Sequence, residues 1–359
     1  MPPPRIRQLD AVRGLAVLAV FVHNSGTDVP FLRPLRADGW MGVDLFFVLS
    51  GFLITGILLD TRGRDGYFRN FYGRRALRIW PLYYSALFLI LFVLPRIHPA
   101  DASLVFSPRS SPHWAYLLFL QNFFVPVPTA AFSLLGVTWS LAVEELFYLF
   151  WPLIVRLCTQ KQLLTLACAV IGISPVMRYF AAEHGVLIYS NPFCRLDGLM
   201  CGAVLAVMVR SSRFASSRYV FQAWTTLAFS LGLAVFLDYH RELWLVFSFV
   251  ALSAMCLVYL ALFSEQKWFR RVLTNRALVY TGTVSYGMYV LEKIPLGGVK
   301  EFHLDGHPWF AFSLALTATY AVATFSWIAL EQPFLHLKRY FEFPVAHPAR
   351  HPDPLVNVT

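Results

Sequence analysis

The residues of this chain best suited to chemistry are ionisable groups set inside long apolar runs. Arg13 and His23 share the run 9–27. On a helix they stand about 15 Å apart along the axis and about 80° apart around it, so both can line one polar cavity at different depths. A neutral imidazole there can take a proton from a hydroxyl; otherwise His23 only hydrogen-bonds between helices and Arg13 only reaches the inner headgroups. Asp44 opens the next run, at a depth matching His23, where it either orients the imidazole or caps the helix. Glu144 and Glu145 are adjacent carboxylates about 100° apart on a helix, so one is expected to face the cavity and the other a basic group on a neighbour. Ionisable side chains inside a span cost roughly 2.5–3.5 kcal/mol each, so each needs a partner or a task. Arg74, Arg75 and Arg78 cluster at the start of a further run, with Arg75 and Arg78 on one helix face. Such a cluster either holds phosphate oxygens or only sets topology.

Composition defines the elements that must position these groups. The 359 residues are 57% hydrophobic and 14% charged, against roughly 25% charged in soluble domains. Mean hydropathy is +0.57. This excludes a disordered chain or a water-soluble globule and predicts an all-α, polytopic membrane helix bundle. Ten segments suffice to span: 9–27, 40–59, 79–95, 137–157, 162–182, 192–210, 219–237, 243–263, 278–297 and 309–330. The first is expected to be a retained helix, because no small-residue cleavage pattern follows it. With the N-terminus inside, inner segments carry 20 Lys+Arg and outer segments nine, among them Arg109. Both termini are therefore expected in the cytoplasm. The net charge of +10 is accounted for by that bias, with no nucleic-acid partner required. Residues 1–340 form the membrane-embedded domain, and 341–359 a short, flexible cytoplasmic tail.

Smaller features complete the expectation. The outer segment 95–136 holds Pro108, Pro112, Pro126 and Pro128 around the apolar run Trp114–Phe124, which is too short to span. It reads as an interfacial or re-entrant segment, either a packed lid or an entrance for substrate. Ser50 and Gly51 suggest close helix packing, Arg195 and Asp197 an interfacial ion pair. Glu331 reads as structural, with Pro333 stopping the last helix. The five cysteines lie in apolar stretches and read as packing residues, with no metal site.

Ordered along the chain are Leu9-Asp10-Ala11-Val12-Arg13-Gly14 with His23, and Gly42-Val43-Asp44-Leu45-Phe46-Phe47-Val48-Leu49-Ser50-Gly51-Phe52. Arg74-Arg75-Ala76-Leu77-Arg78 with Pro81 follows, then Trp139-Ser140-Leu141-Ala142-Val143-Glu144-Glu145 with Phe147-Tyr148, and Glu331 with Pro333-Phe334. Together they resemble the acyltransferase-3 family, integral membrane acyltransferases that modify sugars and other hydroxyl compounds. The resemblance implies a ten-helix bundle in the cell (inner) membrane, an acyl-CoA donor bound from the cytoplasm, and a critical His in the first helix. The donor substrate is then acyl-CoA, expected to be acetyl-CoA, and no cofactor is bound permanently. The acceptor is a carbohydrate, a polysaccharide or another glycosylated or small hydroxyl compound.

On that reading His23 is the general base, oriented by Asp44, Glu144 or Glu145. Arg74, Arg75 and Arg78 hold the CoA phosphates, with Arg13 available to the arm. Asn24 is a candidate oxyanion donor, and direct transfer and an acyl-His23 intermediate both stand open. The rivals are a transporter or flippase of a lipid-linked sugar, and a sensor that binds without turnover. The two related, Gly/Pro-broken halves common in transporters are not found in the sequence. Two positions depart from the family pattern. Nine residues separate Arg13 from His23 where ten are usual, and Glu292 stands where many relatives have His.

Overall fold

The computed structural model describes residues 6–97, 112–124, 134–211, 214, 217–302, 304 and 307–342. Pro108, Arg109, Pro126, Pro128, Arg213, Arg350 and all but the first two residues of the expected tail lie outside the described residues. Among those described, the secondary structure is helical, with no strand. The helices are α1 (Arg7–Ser25), α2 (Arg33–Asp38), α3 (Met41–Asp60), α4 (Tyr67–Phe88), α5 (His113–Leu117), α6 (Trp139–Leu157) and α7 (Gln160–Glu183). There follow α8 (Leu196–Met208), α9 (Val220–Tyr239), α10 (Leu243–Phe263), α11 (Lys267–Leu273), α12 (Arg276–Leu291), α13 (Lys293–Glu301) and α14 (Pro308–Ser326).

Among the described residues, six helical stretches are long and apolar enough to cross a membrane: Met41–Asp60, Tyr67–Ile97, Gln160–Glu183, Ser217–Tyr239, Leu243–Phe263 and Pro308–Phe341. The outward sides of α7, α9 and α14 carry large exposed apolar side chains, including Phe180, Phe229 and Phe325. So much exposed apolar surface suits lipid and not water. The other four expected spans are helical too, but shorter or more polar. α1 carries Asp10, Arg13 and His23, and α6 carries Glu144 and Glu145. α8 is 13 residues long, and the helix after Arg276 is interrupted at Glu292. These four helices hold many of the bundle's polar groups.

Small residues let the central helices approach closely. α1 packs against α12 and α3, and α3 against α8. A methyl group on Gly14 or Gly282 would run into the backbone of the facing helix at Leu278 or Asp10, and one on Gly51 or Gly202 into that at Leu199 or Val48. Gly51 thus serves close packing as its position suggested, whereas the neighbouring Ser50 has a polar task described below.

Two expectations are corrected. Arg195 and Asp197 do not pair with each other at an interface. Both are buried: Arg195 binds Asp44 of α3 (2.8 Å) and Asp197 binds Arg178 of α7 (2.8 Å). Alternating partners across helices neutralise four charges where lipid cannot. Pro333 does not stop the last helix. After a π-turn at Trp327–Glu331 the chain continues through Gln332–His336 and a 3₁₀ turn to Phe341. Near the start of a new turn the missing N–H of proline costs nothing.

Candidate active site

Two cavities lie one above the other along α1, one at His23 and one at Arg13. The nine-residue spacing is accommodated without a break in α1, because the two side chains serve different cavities instead of one.

The first cavity, about 160 Å³, is lined by His23, Asn24, Trp40, Trp139, Tyr189 and Lys293 among others. His23 Nδ1 lies 2.8 Å from the Arg36 carbonyl oxygen. A carbonyl only accepts, so Nδ1 carries the proton, and in the neutral ring the Nε2 lone pair is the basic site. Arg36 can offer its carbonyl because it lies in the last turn of α2, where helix carbonyls have no intrahelical partner. The short helix is brought to His23 by Gly39, where a methyl group would strike the Ala19 and Leu35 carbonyls and crowd the His23 side chain. Asp28 braces the same loop. It takes two hydrogen bonds from Arg33 (2.9 and 2.7 Å) and faces Arg36 at 3.7 Å. The hydrogen bonds from Arg33 hold the Asp28 carboxyl below the usual carboxylate range.

The described part of the segment expected to be interfacial or re-entrant, residues 112–124, contributes to this cavity. Tyr116, Gln121 and Asn122 line it, and Gln121 and Asn122 donate to the backbone of Thr138 (3.0 Å) and Trp139 (2.8 Å).

The second cavity, about 120 Å³, is lined by Arg13, Arg75, Arg78, Ser50, Glu144 and Tyr148 among others. Arg13 is held by Asp10 (3.1 Å) and Arg78 faces buried Glu331 at 3.6 Å. Arg75 lies over the rings of Phe71 and Tyr148. Glu144 accepts from Ser50 Oγ (2.9 Å) and Tyr148 (2.7 Å). Lys338 lies close enough to feel the charges of Arg75, Arg78, Arg74 and Arg13. So dense a positive cluster suits a polyanion.

Tyr289 and Val43 line both cavities and so form the wall between them. The Tyr289 hydroxyl is bonded to Ser140 Oγ (2.6 Å) and to the Val137 carbonyl (3.0 Å), and its ring lies 6.0 Å from that of Phe46.

Of the residues singled out from sequence, the structure brings Arg13, Arg75, Arg78 and Glu144 to one cavity and His23 to the other. Three do not join them. Asp44 is bound to Arg195, and the Arg36 carbonyl stands at His23 where Asp44 was expected. Glu145 is absent from both linings, and its Oε1 is buried without a hydrogen bond, so Glu144 is the member of the pair that faces a cavity. Arg74 donates to the Phe341 carbonyl (3.4 Å) and lines neither cavity.

The acyltransferase-domain profile of the acyltransferase-3 family matches residues 6–330. The chain belongs to the acyltransferase-3 family. Among its relatives is the peptidoglycan O-acetyltransferase of Listeria monocytogenes serovar 1/2a, 27% identical over 361 residues, 91% of this chain and 55% of that protein. A protein of Bacillus subtilis strain 168, provisionally named a peptidoglycan O-acetyltransferase, is 30% identical over 352 residues, 90% of this chain and 54% of the relative. A provisionally named O-acetyltransferase of Staphylococcus aureus strain COL is 25% identical over 350 residues, 91% and 56% of the two chains. The chain thus spans just over half the length of these relatives. No solved structure matches it.

Sequence reasoning did not single out Arg36, Lys338, Lys293 or Tyr289 in this acyltransferase-3 chain, which the structure places at or beside the two cavities. Arg36 acts through a backbone carbonyl, and any residue type supplies one. The two lysines entered only the charge count, and Tyr289 is one of 16 tyrosines.

Proposed function

We propose that the chain is a membrane O-acyltransferase that moves an acyl group, acetyl by preference, from acyl-CoA to a hydroxyl of a cell-wall or other surface carbohydrate. The observation that carries this reading is an imidazole with its proton fixed on Nδ1, in a cavity sharing one wall with a chamber of arginines. In this reading the bundle has ten membrane helices in the cell membrane, with both termini and the Arg75–Arg78 chamber on the cytoplasmic side. The CoA phosphates bind to Arg75, Arg78, Arg13 and Lys338, and the thin pantetheine arm carries the thioester past Tyr289 to His23.

The chemistry follows from the tautomer. His23 Nε2 takes the acceptor hydroxyl proton as the oxygen attacks the thioester carbonyl carbon. The growing positive charge strengthens the Nδ1–H bond to the Arg36 carbonyl, so the backbone does what a carboxylate does in other sites. Collapse re-forms the carbonyl and breaks the C–S bond, and the imidazolium returns its proton to the departing sulfur. Glu144 balances the charge of the arginines and takes no proton from the acceptor. The acceptor class rests on the names of the Listeria and Bacillus relatives, and family membership favours this reading over a transporter.

The test is transfer by the purified protein in lipid nanodiscs, from labelled acetyl-CoA to an oligosaccharide released from peptidoglycan. The wild type should yield an O-acetyl ester that mild alkali removes. Donor binding without any transfer, to that or to other sugar acceptors, would favour a sensor and defeat the proposal.

A further inference from the structure

A second feature of the His23 cavity bears on the reaction. Glu292 is wholly buried, and its Oε1 accepts a 2.6 Å hydrogen bond from Asn24 Nδ2. The Oδ1 of the same amide accepts from Lys293 Nζ at 2.9 Å. Asn24 therefore bridges a buried carboxylate and an ammonium, and it follows His23 directly in α1. The carboxylate supplies the counter-charge that a cation needs at this depth. Asn24 and Lys293 both line the cavity at His23, and Glu292 does not. The bridge thus presents its positive end to the cavity and keeps its negative end in the protein.

Only one of the three ammonium protons is taken up by Asn24. Acyl transfer at His23 needs a hydrogen-bond donor or a cation at the carbonyl oxygen. As the acceptor oxygen bonds to the thioester carbon, the carbonyl π pair moves to its oxygen, which becomes an oxyanion until the C–S bond breaks. We propose that Lys293 is the cation that stabilises this oxyanion, held in place by Asn24 and charge-balanced by Glu292. The inference rests on the reading of His23 as the base. It also revises the role of Asn24, whose amide is engaged on both sides and so positions Lys293. A fixed cation in a water-poor cavity supplies stabilisation where charge develops, and removing one such donor costs about 10²–10³ in turnover.

Lys293→Met alone would leave Glu292 buried without its counter-charge and endanger folding. The informative variant is therefore Lys293→Met with Glu292→Gln, measured beside Glu292→Gln alone, with folding checked by thermal unfolding in detergent. Relative to Glu292→Gln, the double variant should lose about 10²–10³ in kcat, with donor and acceptor KM little changed. Lys293→Arg, which keeps the charge, should retain a measurable share of the turnover. A folded double variant with undiminished kcat would overturn the proposal. So would a loss confined to acceptor KM, which would make Lys293 an anchor for an acidic acceptor, or equal losses with Arg and Met. His23→Gln measured in parallel separates the two levels. If it too remains active, the reading of the site fails; if it is dead while the double variant is active, only the assignment of Lys293 fails.

Discussion

The proposal that His23 is the base rests on what its other nitrogen does, and that nitrogen faces the Arg36 carbonyl. His23→Gln keeps the size and a hydrogen-bonding amide but has no basic site. Its transfer rate should fall by about 10²–10⁴ with donor binding intact, as read from single-turnover kinetics and equilibrium binding of acetyl-CoA. Normal single-turnover rates would reduce His23 to a structural residue. The arginines make a second prediction. Arg78→Ala alone would strand buried Glu331, so it is best combined with Glu331→Gln. That pair, or Arg75→Ala, should raise the KM for acetyl-CoA by roughly 10–100-fold, the range for a charge-assisted hydrogen bond. It should change the KM for acetyl-pantetheine little. Arg74→Ala should alter neither, since Arg74 is tied to the Phe341 carbonyl. At this scale the sequence was legible for residue types that membranes disfavour: Arg13, His23 and Glu144 stood out because charge inside a span is expensive. Their partners were not legible. The Arg195–Asp44 bond joins residues 151 positions apart, and the Asn24–Glu292 bond residues 268 apart.

Among the elements, the six-residue α2 is the one on which the proposed base depends. Gly39→Ala should push α2 away from α1 and release His23 from Arg36. The expected result is a fall of about tenfold to a hundredfold in kcat, with donor KM unchanged and a lowered melting temperature. Unchanged kcat would show that the Arg36 carbonyl is dispensable. The Asp28 brace should matter far less. Its carboxyl titrates below the usual range, so the bridge is intact above that range and is lost as pH falls through the lowered value. Because the pair is exposed, Asp28→Asn should change kcat by less than about fivefold. Each of the ten apolar runs falls on helix, because length and hydropathy are local properties, whereas the short polar α2 and α11 were not foreseen. The π-turn at Trp327–Glu331 and the break at Glu292 were not foreseen. Both depend on which buried partner the chain must reach, Arg78 in one case and Asn24 in the other.

At the scale of the whole molecule, we propose that the two cavities divide the reaction between donor and acceptor. The Lys+Arg bias, legible in the sequence, gave a direction to the bundle, whereas the dividing wall at Tyr289 and Val43 emerged only from helix packing. In the proposed reading the donor chamber faces the cytoplasm and the His23 cavity the outside, so the acyl group would cross most of the bilayer on the pantetheine arm. Sealed inside-out vesicles test this most directly, with labelled acetyl-CoA added outside and an impermeant sugar acceptor present either in the lumen or outside. The bundle as described here should label the luminal acceptor and leave the external one nearly unlabelled. Label appearing only on acceptor that shares the donor's side would contradict it.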